Sequence, residues 1–324
     1  MTVRTFLEAI SAAIDEEMQR DERVLIMGED IAGFGGAFKV TAGLLERYGD
    51  QRVIDTPIAE SGFTGMAGAM AIDGLRPIVE YQFADFMTCA FDPIVNFIAK
   101  AHYRWGTPVP IVLRAPAGAG VRGGPYHSIS PEAWFAHTPG LKVVYPSTPY
   151  DAKGLLKASI RDDNPVIFLE HKKLYRRIRE EVPNEDFIVR LGEADIKIAG
   201  DDVSIITYGA MVHEAVAAID ELAGLGVSAE LVDLRSLVPM DWETVLGSVA
   251  RTGRVVVVTE EHRTGAFSAE IAAGLAEHAF GDLVAPIVRL GALDVPHPYS
   301  AVLEDAMLPN RSSITAAVLS VMRY

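Results

Sequence analysis

Short apolar runs alternate along the chain with stretches of helical spacing. Runs at 24–27, 53–55, 77–81, 110–114, 142–145 and 166–169 predict strands, and 41–48, 62–72, 91–103 and 150–162 between them predict helices. The strands are continuously apolar rather than alternating, as expected when helices cover both faces of a largely parallel sheet. Residues 1–21 read as an amphipathic helix, with Phe6, Ile10, Ala13, Ile14 and Met18 on one face and Asp15, Glu16 and Gln19 on the other. A charged segment at 171–181, followed by Pro183 and Asn184, reads as a linker. Beyond it a second series begins, with strands at 203–208, 229–233, 255–259 and 287–290 and helices at 212–225, 242–250, 267–280 and 312–322. The pattern predicts two α/β domains with largely parallel sheets, 1–185 and 186–324.

Residues 53–73, VIDTPIAESGFTGMAGAMAID, are the most distinctive stretch. Glu60 stands between an apolar strand and an apolar helix start, where a carboxylate is partly desolvated and can serve as an acid/base group. The plainer reading is a first-turn carboxylate favoured by the helix dipole. Gly62, Gly65, Gly68 and Ala69 let a backbone or ligand come close, at a cost in helix propensity.

The formal net charge of −15 argues against nucleic acid or an anionic membrane as the main partner. No uncharged apolar run approaches the roughly 18 residues of a membrane span, and 1–21 lack the pattern of a signal peptide. The single cysteine, Cys89, excludes an intramolecular disulfide and fits a reducing, cytoplasmic setting.

Gly118, Gly120 and Gly123 form a G-x-G-x-x-G string after a predicted strand. A dinucleotide site needs that turn to open a helix and an acid about 20 residues on, and both are missing, so a Gly-rich loop is the simpler reading. The loop delivers His127, a candidate proton donor near neutral pH. Gln82 and Phe86 follow the third strand, where ligands gather in parallel sheets; one can hydrogen-bond and the other stack on a ring. Glu260, Glu261 and His262 also follow a strand, and there a solvated strand end is the plainer reading. No H-E-x-x-H or G-x-S-x-G string occurs, which argues against the usual zinc and serine hydrolases.

The strings Met27-Gly-Glu-Asp30, Asp55-Thr-Pro-Ile-Ala-Glu60, Gln82-Phe-Ala-Asp-Phe86, His127-Ser, Pro139-Gly-Leu-Lys-Val-Val144, Asp151-Ala-Lys-Gly154 and Val232-Asp-Leu-Arg235 occur in this order. Together they resemble the β subunit of the E1 component of 2-oxo acid dehydrogenase complexes, thiamine diphosphate enzymes of the transketolase superfamily. The resemblance covers essentially the whole chain. It implies a pyrimidine-binding domain followed by a transketolase-type C-terminal domain. Glu60 matches the glutamate that hydrogen-bonds the cofactor's aminopyrimidine; Ile58, Gln82 and Phe86 match positions lining that ring; Glu29 lies in a supporting motif. His127 matches the histidine that assists acyl transfer to lipoamide. A structural potassium ion is implied at Ile111, Ser159, Ile160, Asp162 and Asn164, where an ordinary turn before Pro165 is the alternative.

The diphosphate half of such a site uses a G-D-G followed some way on by Asn, with magnesium, and this pattern is missing. The resemblance therefore implies an α subunit that holds magnesium and diphosphate, an α2β2 assembly with the site shared between subunits, and an E2 partner offering its lipoyl domain and core. The implied substrate is a small 2-oxo acid, branched-chain or pyruvate, with an acetoin dehydrogenase as the alternative. Two readings of other kinds are a nicotinamide-dependent oxidoreductase using the Gly118 loop and a non-catalytic assembly subunit. The missing ribose acid weighs against the first, and retention of Glu60, Phe86 and His127 against the second.

Overall fold

Thr5 starts the first helix with a capping box: its hydroxyl accepts from the Glu8 amide at 3.1 Å, and the Glu8 carboxylate accepts from the Thr5 amide at 2.7 Å. The apolar stripe that follows, Phe6, Ile10, Ala13 and Ile14, is fully buried. The computed structural model describes residues 1–324. The chain divides into two units, Met1–Ala117 with Trp134–Leu191, and Gly118–Ala133 with Gly192–Tyr324. A segment of the middle of the chain thus belongs with the second unit, an arrangement that no single linear boundary describes.

The first unit contains β1 (Thr2–Thr5), α1 (Phe6–Arg20), β2 (Val24–Gly28), α2 (Leu44–Tyr48), β3 (Val53–Asp55), α3 (Glu60–Ile72), β4 (Arg76–Glu80), α4 (Ala99–Trp105) and β5 (Val112–Ala117). The chain returns to it within α5 (Glu132–Ala136) and continues as β6 (Lys142–Val144), α6 (Pro149–Arg161), β7 (Val166–His171) and β8 (Arg179–Val182). Strands of this unit run in the order β6-β7-β5-β4-β2-β3, every pair parallel. β4, β5 and β7 are almost wholly buried: apolar residues such as Ile78, Val79, Val112, Leu113 and those at 166–169 fill them, and Glu80, Arg114 and Glu170 are buried among them as ion-paired side chains. Two expectations need correction. The segment 171–181 is not only a linker, because β8 pairs antiparallel with β1. The helix expected at 91–103 is a π-helical stretch, Pro93–Ile98, that passes into α4; Pro93 lacks the N–H an α-helix interior uses.

The second unit contains β9 (Asp195–Ile198), β10 (Val203–Thr207), α7 (Met211–Gly224), β11 (Ala229–Asp233), β12 (Ser236–Val238), α8 (Trp242–Thr252), β13 (Val255–His262), α9 (Phe267–His278), β14 (Val288–Ala292), α10 (Ala301–Met307) and α11 (Arg311–Val321). Its sheet runs β14-β13-β10-β11-β9, parallel except for β9. β9, Asp-Ile-Lys-Ile, escapes an apolar-run search because it is a half-exposed edge strand. No helix is long and apolar enough to cross a membrane.

Candidate active site

Three adjacent parallel strands, β3, β2 and β4, end side by side. In open α/β sheets, ligands bind beyond such carboxyl ends. Here the chain after β2 carries Glu29 and Asp30, the chain after β3 carries Ile58 and Glu60, and the chain after β4 carries Gln82 and Phe86. The loops are tied together: the Thr56 amide donates to Gly28 O at 2.9 Å, the Ala32 amide donates to Asp55 Oδ1 at 2.7 Å, and Gln82 Nε2 lies 3.4 Å from Asp30 Oδ2. All five residues singled out for a pyrimidine ring therefore lie on one end of one sheet. Glu60 is the first residue of α3, half-buried; Phe86 is half-buried, its ring edge-on to Phe83 at 6.2 Å; Ile58 is 82% exposed.

The buried carboxyl of the group is Glu29, only 6% exposed, and its Oε1 has no hydrogen-bond partner. Burial first, and then the negative charges of Glu60 and Asp30, push Glu29 above the ordinary carboxylate range. Sequence reasoning gave Glu29 a supporting part only. Its signal was its position directly after a fully buried strand ending in Gly28.

α3 is apolar all round, yet Ser61, Gly62, Met66 and Ala69 face outward, Met66 at 49% exposure. Of its glycines, Gly68 is the one that needs its size: a Cβ there would fall 2.8 Å from Ile98 and 2.9 Å from Phe97 of the π-helical stretch. Gly65 has open space beside it. On the other side, Thr64 and Tyr81 hydroxyls meet at 2.6 Å and fix α3 to the end of β4.

His127 belongs to the second unit, half-buried after a 3₁₀ turn, Gly124–Tyr126. The Gly-rich string before it is explained by backbone shape: Gly118 and Gly120 have φ of 80° and 82°, which side chains disfavour. The Gly118 amide donates to Ile129 O at 2.8 Å, closing the segment into a loop. No helix opens there, so a dinucleotide site has no anchor. Glu260 and Glu261, read as a solvated strand end, are in fact buried at 6% and 5% exposure, because this loop covers them.

Ile111, Ser159, Ile160, Asp162 and Asn164 gather at the opposite end of the first unit's sheet, before β5 and β7 and at the end of α6. The Arg76 guanidinium donates to Ile160 O at 2.8 Å and Asp162 O at 3.1 Å. Ile111 O accepts from the Val166 amide at 2.9 Å, Ser159 O from the Asp162 amide at 3.3 Å, and Asn164 Oδ1 meets His102 Nδ1 at 2.6 Å. Lys142 pairs with the Asp162 carboxylate.

Two α/β units of this kind, with the family matches over both, place the chain in the transketolase superfamily. Residues 3–177 match the family described as transketolase, pyrimidine binding domain, and residues 192–314 match transketolase, C-terminal domain. A split-gene transketolase, solved as an inactive β4 tetramer, shares the fold at a TM-score of 0.81 over 98% of each chain, with 24% identity. Among curated proteins, the chain is 47% identical to the 2-oxoisovalerate dehydrogenase subunit beta of Bacillus subtilis. It is 44% identical to the pyruvate dehydrogenase E1 component subunit beta of the same organism and 46% identical to that of Staphylococcus aureus. Each of these alignments covers 100% of both chains. The chain belongs to the family of β subunits of the E1 component of 2-oxo acid dehydrogenases.

Proposed function

We propose that this chain forms, with an α subunit, an E1 enzyme that decarboxylates a 2-oxo acid, branched-chain or pyruvate, and passes the acyl group to the lipoyl group of E2. Thiamine diphosphate is shared between the two subunits, and α holds its magnesium and diphosphate. The observation that carries this is the meeting of Glu29, Glu60, Gln82 and Phe86 at three adjacent strand ends, beside an apolar helix face left open on α3. A carboxylate, a buried carboxyl oxygen without a partner, an amide and an aromatic face suit an aromatic ring that carries both donors and acceptors.

The chemistry that thiamine diphosphate supplies when bound is a carbon nucleophile and an electron sink for decarboxylation. Glu60 holds a proton at the far ring nitrogen of the aminopyrimidine. Glu29 beside it is held above the ordinary carboxylate range by burial and then by the charges of Glu60 and Asp30, and its buried Oε1 is open to the ring. Phe86 offers its face to the ring, Gln82 a hydrogen bond, and the outward-facing Ile58 an apolar edge. His127 gives a proton to the sulfur that leaves when the lipoyl disulfide is opened. Met66 and the small residues of α3 take the α subunit in an α2β2 assembly, and the single exposed Cys89 fits a reducing cytoplasm.

The carbonyl oxygens of Ile111, Ser159, Ile160 and Asp162 lie together at the end of α6, and two of them, Ile160 O and Asp162 O, accept from Arg76 Nη1. We assign the structural potassium to this set, where the ion takes the place of Arg76 Nη1 between those two oxygens, since like charges do not share them. Thermal stability is then higher in potassium than in sodium at equal ionic strength; identical melting curves contradict the assignment.

The test of function is co-expression with an α subunit and reduction of an artificial electron acceptor, with thiamine diphosphate and magnesium, on 2-oxoisovalerate, pyruvate and acetoin, with CO2 release followed for the two 2-oxo acids. Turnover of a 2-oxo acid by the pair, and by neither subunit alone, supports the proposal. Turnover of acetoin alone replaces it with the acetoin reading.

A further inference from the structure

The loop that carries His127 is fastened at both ends by two consecutive acids that sequence reading set aside. Glu260 Oε1, at the carboxyl end of β13, accepts from the Ala119 amide at 2.7 Å and lies 3.4 Å from the Ser130 hydroxyl. Glu261 Oε1 accepts from the Ala133 amide at 3.0 Å. Its other oxygen accepts from the Phe267 amide at 2.7 Å and the Tyr208 hydroxyl at 3.1 Å, and Tyr208 reaches Glu132 Oε1 at the same distance. Along the middle of the loop, Arg122 pairs with Glu304 and Asp305 of α10.

Main-chain amides at a loop's feet can be satisfied by water, by the loop itself or by a partner. Here they are met by side chains that are almost fully buried, from a strand some 130 positions away in sequence. Such anchors cost desolvation, and a loop that merely connects α/β elements has no use for them. We propose that Glu260 and Glu261 are positioning residues that hold the His127 loop in the geometry acyl transfer requires. This rests on the reading of His127 given above.

The two acids differ in what they must supply. Glu260 meets the Ala119 amide and the Ser130 hydroxyl with the same oxygen, Oε1, so a glutamine that places its carbonyl there keeps both ties to the loop. Glu261 receives backbone N–H groups on both oxygens, so one end of a glutamine must face a donor with a donor. The substitutions therefore separate by hydrogen-bond arithmetic rather than by size or charge.

The test uses the assembled α/β enzyme, with hydrogen exchange of peptides spanning 118–133 read beside two activities: decarboxylation with an artificial electron acceptor, and acyl transfer to a lipoyl domain. Glu260→Ala raises exchange in 118–133 and lowers acyl transfer by about tenfold, the scale of one lost hydrogen bond to a charged group, while decarboxylation stays within about twofold. Glu260→Gln restores both readouts, and Glu261→Gln does not. Unchanged exchange in 118–133 on Glu260→Ala, or equal loosening by Glu260→Gln and Glu260→Ala, overturns the positioning role. His127→Ala separates the two ideas: undiminished acyl transfer with a tight loop overturns the reading of His127 and leaves the fastening itself in place.

Discussion

Replacing Arg114 with Met should destabilise the first unit more than any other single change near the site. Arg114 is fully buried, with Nε and Nη2 on the two oxygens of Glu170 at 2.6 and 2.8 Å and Nη1 on Glu80 at 2.6 Å; Tyr175 also donates to Glu170 at 2.7 Å. It thereby joins the carboxyl ends of β4, β5 and β7. Removal strands two buried carboxylates next to each other. Breaking a buried pair by deleting one partner costs about 3–5 kcal/mol, because the remaining charge has no compensation. For a unit of this size each kcal/mol lowers the melting temperature by roughly 2–4 °C, so the expected fall is on the order of 10 °C. The assay is thermal denaturation of the assembled enzyme, wild type against variant, at pH 8 and pH 6. The deficit should shrink at pH 6, because Glu80, which burial already pushes up, takes up a proton more readily once the arginine is gone. A fall below about 2 °C, or a deficit that grows on acidification, would refute the reasoning.

Other changes read out different parts of the molecule. Burial first, and then the charge of Glu261, push Glu132 well above the ordinary carboxylate range, so the folded chain keeps there a proton that the unfolded chain releases above the ordinary value near 4.5. Its contribution to stability is full below 4.5 and is lost as pH rises through the raised value. Urea unfolding between pH 4.5 and 8 should fall more steeply for wild type than for Glu132→Gln, and parallel profiles would contradict the proton assignment. Gly68→Val should force Ile98 and Phe97 away from α3 and cost about 1–3 kcal/mol by overpacking, measured as a lower urea midpoint. Gly65→Ala, with open space beside it, should leave the isolated chain unaffected or slightly more stable.

Much of the architecture was legible because it is written locally. The buried strands β2 and β10 are apolar apart from small or hydroxyl residues, β4 and β11 keep apolar residues at their centres, and the chain after β3 announces a helix start at Glu60. What failed was set by tertiary contact. β1 and β8 are polar and half-exposed, so only their pairing with each other makes them strands. Glu260 and Glu261 look like a wet strand end until the 118–133 loop is seen to cover them. For Glu29 the apolar strand before it was the one local signal, and its burial and unpartnered oxygen are set by tertiary contact.

The most direct test of the central claim is a comparison of wild type, Glu60→Gln and Glu60→Ala in the reconstituted α/β enzyme. Thiamine diphosphate binding is followed by calorimetry and 2-oxo acid decarboxylation by product release. If the strand-end site is the pyrimidine site, both variants assemble and melt like wild type, and decarboxylation falls by at least about 100-fold, the scale of one lost acid/base group. Wild-type turnover in Glu60→Ala would contradict the account.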